Sequence, residues 1–203
     1  MTSLLYMFRH GTAAPRGFMV GQADLPLLPQ GEAEIRRWAE SLSDRVFHAA
    51  WSSPLLRARQ TADILLKNNS ASTHEARIVD GLREISLGEW EGKTKHEVMR
   101  KYPEIWEARG RDMVHTAPAG GESFQELASR VLPAFTAVCA QAARKGRSLL
   151  VGHQAVNRVI LAHLAGMPLE SLRDIPQPNG ALSILEVDAS GGARLLGQYS
   201  PPA

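Results

Sequence analysis

Short apolar runs constrain this chain most. Leu4-Leu5-Tyr6-Met7-Phe8 and Leu149-Leu150-Val151 place apolar residues at successive positions, too briefly for a helix. Such runs read as strands buried on both faces. Each stops abruptly at polar residues. The first gives way to Arg9-His10-Gly11 and the other to Gly152-His153. Val46 to Trp51 reads as another strand and runs into Ser52-Ser53, with Arg57 close behind. Helical patterns fill the intervals. Ile35, Trp38 and Leu42 mark the apolar face of a helix that starts near Gly31. Leu55, Ala58, Ala62 and Leu65 mark the next, with Ser53 as N-cap and Pro54 in the first turn. Strands alternating with helices predict an α/β fold. Its form would be a three-layer sandwich, a mainly parallel sheet with helices on both faces. Ligands of such sheets sit outside the carboxyl ends of the strands. One crevice would then collect Arg9, His10, Arg57 and His153.

The remaining segments fit that plan. Residues 77–82 read as a short strand. Thr94 with Glu97, and Ser123 with Glu126, have capping-box spacing, and each announces a helix. The latter helix is expected over 124–144, bent by Pro133. Residues 103–121 mix prolines, glycines and charge and read as a loop-rich cover, within a lid-like insertion at about 90–121 of a single domain, 1–203. A helix over 155–165 would end at Gly166. Residues 181–187 and 193–199 read as a closing hairpin.

Composition removes several classes of function. The net charge is +2 and no lysine or arginine run stands out, so nucleic acid is not an expected partner. Cys139 is the single cysteine, which excludes an intrachain disulfide and CxxC metal sites. Its apolar neighbours make it a core residue. No run has the length of a membrane span, and the N-terminal run lacks a basic lead and a cleavage site. A cytoplasmic protein without membrane contact is expected, and a homodimer is allowed. His74-Glu75 and His96-Glu97 do not complete HExxH. Nucleotide P-loop, GxGxxG and GxSxG patterns are missing too. Trp38, Trp51, Trp90 and Trp106 read as packing residues. His48, His74, His96, His115 and His163 show no functional spacing.

Two arginines and two histidines around one crevice suit a phosphate dianion. Guanidinium offers fixed N–H donors that match phosphate oxygens. Arg57 would also sit in the first turn of its helix, where free backbone N–H groups attract anions. A neutral histidine can attack phosphorus when its other nitrogen is held by an acceptor. The leaving alkoxide needs a proton, which a carboxylic acid can give. Glu84, within Leu82-Arg83-Glu84-Ile85 and ahead of a Gly-Glu-Trp-Glu-Gly turn, is the candidate.

Six ordered motifs resemble those of the histidine phosphatase superfamily, the phosphoglycerate mutase-like proteins. Phe8-Arg9-His10-Gly11 resembles its RHG motif. Gly21-Gln22-Ala23-Asp24 with Pro26, Leu27 and Gly31 resembles G-x-x-D-x-P-L-x-x-x-G. Ser52 to Ala62 is similar to S-S-P-L-x-R-A-x-Q-T-A, Leu82 to Gly92 to L-R-E-I-x-x-G-x-W-E-G, Pro118 to Ser123 to P-x-G-G-E-S, and Gly152-His153 to the final G-H. The resemblance implies His10 as the phosphorylated nucleophile and Glu84 as proton donor. It implies Arg9, Arg57 and His153 as the phosphate pocket, with Gly21 and Gln22 beside it. Arg59 is not the matched position and should point elsewhere. No metal or organic cofactor is implied, and the partner is a small-molecule phosphate ester.

The chain departs from the pattern after Gly11. Thr12 and Arg16 stand where the family usually has Glu and Asn, and Arg16 becomes a candidate substrate contact. His153-Gln154-Ala155-Val156-Asn157-Arg158 resembles H-Q-A-V-x-R of the bisphosphatase branch and draws Gln154 towards substrate. Leu82-Arg83-Glu84 replaces the N-E-R of the mutases. That favours the phosphatase branch, which includes alpha-ribazole phosphatase. A cofactor-dependent phosphoglycerate mutase and a non-catalytic phosphate-binding module are the alternatives. Arg109 and Arg111, on the cover, are candidates for substrate choice.

Overall fold

A computed structural model describes residues 2–68 and 71–202. Strands β1 (Ser3–Arg9), β3 (Ala49–Ser52), β4 (Arg77–Ile78), β6 (Arg147–Gly152), β7 (Leu182–Val187) and β8 (Ala193–Tyr199) form one sheet, in the order β4-β3-β6-β1-β7-β8. The first four in that order run parallel, while β7 and β8 close the sheet as an antiparallel hairpin. The sheet is therefore mixed, with its parallel part at the functional end. Period-two alternation divides the strand residues between two cores. Leu5, Met7 and Leu150 pack towards α5 (Phe124–Ala142) and α6 (Gln154–Ala165). Tyr6, Phe8, Leu149 and Val151 pack towards α1 (Pro29–Ser41) and α2 (Leu56–Lys67). This is the expected three-layer sandwich.

Register brings the strand ends level. Ser52 pairs with Val151, and Gly152 with Arg9. Ser53, His10 and His153 thus leave the sheet side by side.

The element boundaries differ from expectation for local reasons. The strand at 46–51 contracts to Ala49–Ser52, because Phe47 is held by Ser72 Oγ and Thr73 N instead of a ladder. Only Arg77 and Ile78 of 77–82 are strand; Val79 N makes the last bond to Ser52 O, and Asp80–Leu82 turns as a 3₁₀ helix. Ser53 does not cap α2. Its hydroxyl is 2.7 Å from His153 Nε2, and Leu55 is the N-cap. Both capping boxes form, at α3 (Lys95–Lys101) and α5. Helix α5 runs unbroken through Pro133, and Gly166 ends α6 in the left-handed region, at φ 65. Prolines misled the reading at two places. Pro29 and Pro103 begin helices, where a missing N–H costs no hydrogen bond. Helix α4 (Pro103–Arg111) therefore occupies half of the segment expected to be loop.

The start of the segment expected to be a lid is tied to the segment after His10. Strands β2 (Phe18–Met19) and β5 (Lys93–Thr94) pair as a small antiparallel ribbon. Lys95 N donates to Gly17 O and Gly92 N to Met19 O, at 2.8 and 3.0 Å. Nothing in the sequence pattern announced this link between two segments of two residues each.

Candidate active site

His10 leaves the end of β1 buried. Its Nδ1 lies 2.7 Å from Gly11 O. A carbonyl accepts only, so Nδ1 carries the proton. Nε2 keeps its lone pair, and Arg57 Nε donates to it at 3.2 Å. Burial, then Arg57 and Arg9, push the His10 pKa well below the usual 6.5. The ring is neutral, with one nitrogen anchored and the other facing a guanidinium.

Gly11 and Gly31 permit this turn. A Cβ on Gly31 would lie 2.1 Å from Thr12 O, and one on Gly11 would lie 2.6 Å from Gly31 O. The start of α1 presses on the backbone beside His10. Thr12 N and Oγ1 both donate to the Glu34 carboxylate on α1, at 3.0 Å. Asn179 Nδ2 donates to the same hydroxyl at 2.7 Å. Glu34 and Asn179 were missed from sequence, because neither lies in a motif.

Arg57, in the first turn of α2, is almost fully buried. It donates to Ala23 O and Gly21 O, both at 2.8 Å, as well as to His10. Burial lowers its pKa, opposed by Glu84, Asp24 and Glu91. Arg9 donates through one terminal nitrogen to Gln177 O at 2.5 Å, while its Nε has no partner among the described residues. Its pKa is lowered to about 10, mainly by burial, with Glu84 opposing. Arg59 is exposed, as expected.

Glu84 comes from the loop after the Asp80–Leu82 turn. Its carboxylate accepts from Ile85 N at 3.0 Å and from Ala155 N, in the first turn of α6, at 3.2 Å. A cavity of about 1400 Å³ opens over these groups; Arg9, His10, Arg57 and Glu84 line it, with Phe18 and Trp106 among its apolar walls. His153 does not line it. That ring is fully buried behind His10, with centroids 5.0 Å apart. Its Nδ1 has no partner among the described residues. Burial, then His10 and the arginines, depress its pKa well below 6.5.

The other expected contacts divide. Arg16 is exposed on the cavity wall. Gln154 also lines the cavity, but its amide donates to Gln177 O at 3.2 Å, the carbonyl that holds Arg9. Gly21 contributes its carbonyl to Arg57. Gln22 needs correction as a substrate contact: it does not line the cavity, because its side chain turns inward and donates to Glu84 O at 3.0 Å. Arg109 lines the cavity while being largely buried: it sits between the Trp90 and Phe124 rings, and one terminal nitrogen donates to Thr116 O and Glu122 O. Arg111 lies out in solvent, 3.9 Å from Glu107. Trp106 is not only a packing residue, since it forms cavity wall. Among the described residues no group of His, Cys, Asp and Glu could hold a metal ion.

The model of the histidine phosphatase superfamily, branch 1, matches residues 5–197. The chain belongs to that superfamily. This histidine phosphatase is similar to the adenosylcobalamin/alpha-ribazole phosphatase of Escherichia coli K12, 28% identical over 91% of this chain and 90% of that one. It also resembles a 2,3-bisphosphoglycerate-dependent phosphoglycerate mutase of Parvibaculum lavamentivorans, 29% identical over 95% and 94%. Among solved structures, the alpha-ribazole phosphatase of Shigella flexneri superposes with TM-score 0.85 at 28% identity, covering 98% of this chain and 96% of that chain. A mycobacterial glucosyl-3-phosphoglycerate phosphatase gives 0.80 at 27% identity, covering 97% and 98%. The enzyme is a phosphoric monoester hydrolase of this superfamily.

Proposed function

We propose that this enzyme hydrolyses a small phosphorylated metabolite in two steps through a phosphohistidine on His10. The state of His10 carries the reading: Nδ1–H is anchored on Gly11 O, and Nε2 holds a lone pair beside Arg57. In the first step Nε2 bonds to phosphorus and the ester P–O bond breaks. Glu84 gives its proton to the departing oxygen. In the second step water attacks phosphorus and the N–P bond breaks. Glu84 takes the water's proton, His10 regains its lone pair, and phosphate leaves. Arg9 and Arg57 would hold the equatorial oxygens, whose charge needs fixed donors in both steps. His153, buried behind His10, would reach them only through Nδ1, which has no partner among the described residues. Arg57 Nε–H would pass from His10 to an incoming oxygen.

Residues 90–121 would act as the cover over this site, in one domain spanning 1–203. Arg16 and Gln154 would meet the organic part of the substrate from the cavity wall. The route uses side chains and water alone, and a cytoplasmic enzyme acting on metabolites fits it. The phosphate monoesters named for the relatives, alpha-ribazole phosphate and glucosyl-3-phosphoglycerate, are the first to assay.

The test is phosphate release from a panel of esters by wild type and His10→Ala. A radiolabelled ester should leave acid-labile label on the wild type and none on the variant. Equal turnover by both proteins would overturn the reading. Conversion of 3-phosphoglycerate to 2-phosphoglycerate, dependent on 2,3-bisphosphoglycerate and faster than any hydrolysis, would replace it with a mutase.

A further inference from the structure

A single arginine outside every motif grips the loop that carries Glu84. Arg130 projects from the middle of α5, a helix anchored in the core by Leu127, Val131 and Phe135. Through one terminal nitrogen it donates to Gly81 O at 3.0 Å and Arg83 O at 2.8 Å. The other donates to Glu84 O at 2.9 Å. Three carbonyls of one turn, ending at Glu84 itself, are thereby fixed to one rigid guanidinium. A planar fork suits that task, whereas an ammonium is a point charge on a flexible stem.

Glu122 holds the fork in place. Its two oxygens accept from Arg130 Nε and the second terminal nitrogen, both at 2.7 Å. Glu122 Oε2 also accepts from Ser86 N at 2.8 Å, and Glu122 N donates to Ser86 O at 2.9 Å. The loop is thus laced to the lid base on one side and to α5 on the other. Gly81 makes the approach possible, since a Cβ there would lie 2.7 Å from Ala134 Cβ. The side chain of Glu84 is then aimed from a third element, by Ala155 N at the start of α6.

We infer that Arg130, braced by Glu122, is a positioning residue for the proton transfer performed by Glu84. The inference builds on the proposed role of Glu84. Arg130 does not line the cavity, so it acts only through the loop. A carboxyl displaced by a fraction of an ångström misaligns its proton, because such transfer needs hydrogen-bond reach of the leaving oxygen. The defect should therefore scale with how much the leaving group needs a proton.

Two esters separate this from a general loss of structure. p-Nitrophenolate leaves without full protonation, while an alkyl alkoxide such as that of glycerol phosphate does not. For Glu84→Gln, and more mildly for Arg130→Met, kcat on the alkyl ester should fall at least about tenfold further than on p-nitrophenyl phosphate. KM should change little. Arg130→Met leaves Glu122 as an unpaired, partly buried charge, so the double variant Arg130→Met/Glu122→Met is made alongside. It keeps a folded protein if the single variant fails, and it should show the same leaving-group bias. Arg130→Lys should not restore the alkyl activity. If folded Arg130 variants slow both esters by the same factor while Glu84→Gln shows the bias, Arg130 serves the fold alone and the inference is overturned. If Glu84→Gln itself shows no bias, the assignment of the acid fails and the inference falls with it.

Discussion

Arg57 Nε sits 3.2 Å from His10 Nε2, donating to the atom we assign as nucleophile. The contact does two things. It fixes the tautomer, because a donor can face only a lone pair. It also places a permanent positive charge where phosphoryl oxygens must arrive, and so favours the neutral ring on which attack depends.

Replacing Arg57 by lysine should therefore be severe. An ammonium cannot reach Gly21 O, Ala23 O and the reacting centre together from one stem. We expect kcat/KM on p-nitrophenyl phosphate to fall by about 10² to 10³, the usual loss of a fixed donor at developing charge. A loss below fivefold would show that the guanidinium is not at the reacting phosphate.

The pH response follows from two buried histidines whose pKa values are depressed below 6.5, chiefly by burial. In the unfolded chain they take up protons near that value; in the folded protein they do not. The stability they permit is complete above 6.5 and is lost as pH falls below it, by at most about 1.4 kcal/mol per pH unit for each histidine. Urea melts of wild type should lose stability between pH 6.5 and 5.5, and His10→Ala should show a shallower slope. The kcat/KM profile should show no acid limb near 6.5 from His10, whose ring stays neutral there; the limb expected in that range is the second ionisation of the phosphate ester itself, at about 6. A limb near 6.5 that stays fixed when esters of different phosphate pKa are compared would contradict the buried, neutral histidine.

Gly31→Ala tests the seating of the nucleophile turn. The new methyl group would meet Thr12 O at 2.1 Å, backbone against side chain, with no flexible end to yield. Overpacking of this kind costs about 1–3 kcal/mol. Thermal melting should show the destabilisation, and kcat should fall as Thr12 drags His10 out of line. A variant as stable and active as wild type would mean that α1 gives way instead.

Arg109→Met should loosen the proposed cover and alter the cavity wall while leaving His10, Arg57 and Glu84 in place. The variant keeps apolar volume between Trp90 and Phe124 but abandons the carbonyls of Thr116 and Glu122. We expect faster limited proteolysis within 103–121 and a raised KM, with kcat changed less than threefold. Unaltered proteolysis would place the stability of the lid elsewhere.

Cys139 should be inert. Burial pushes its thiol up to about 12, and only the thiolate reacts with alkylating agents. Native protein should resist iodoacetamide at pH 8 for as long as it stays folded, and urea should release the thiol. Rapid alkylation of the native state would show that the core around α5 opens readily.

The arrangement of the sandwich was readable because burial on both faces leaves a strong mark. The runs Leu4–Phe8 in β1 and Leu149–Val151 in β6 are apolar at successive positions, and the helices repeat at 3.6 residues. Short elements left no such mark. The β2–β5 ribbon has two residues per strand, and α4 starts at a proline that reads as a breaker when its partners are unknown. Of the site, the residues inside motifs could be picked out singly. Gln22 was misplaced because a motif gives a position and not a direction: its amide turns to Glu84 O instead of the cavity. Glu34, Asn179, Gln177 and Arg130 carry no motif at all.

What the sequence settled by itself was local: which runs are strands, which faces are apolar, and which side chains could attack, bind or protonate a phosphate. Only the tertiary structure decided how those side chains are held. The tautomer of His10 depends on Gly11 O and on Arg57, 47 residues away. The aim of Glu84 depends on Ala155, 71 residues on, and its backbone on Arg130. Chemical identity is written in one residue, but orientation needs three or four partners. Those partners meet only when the parallel strands end level and the helices behind them pack.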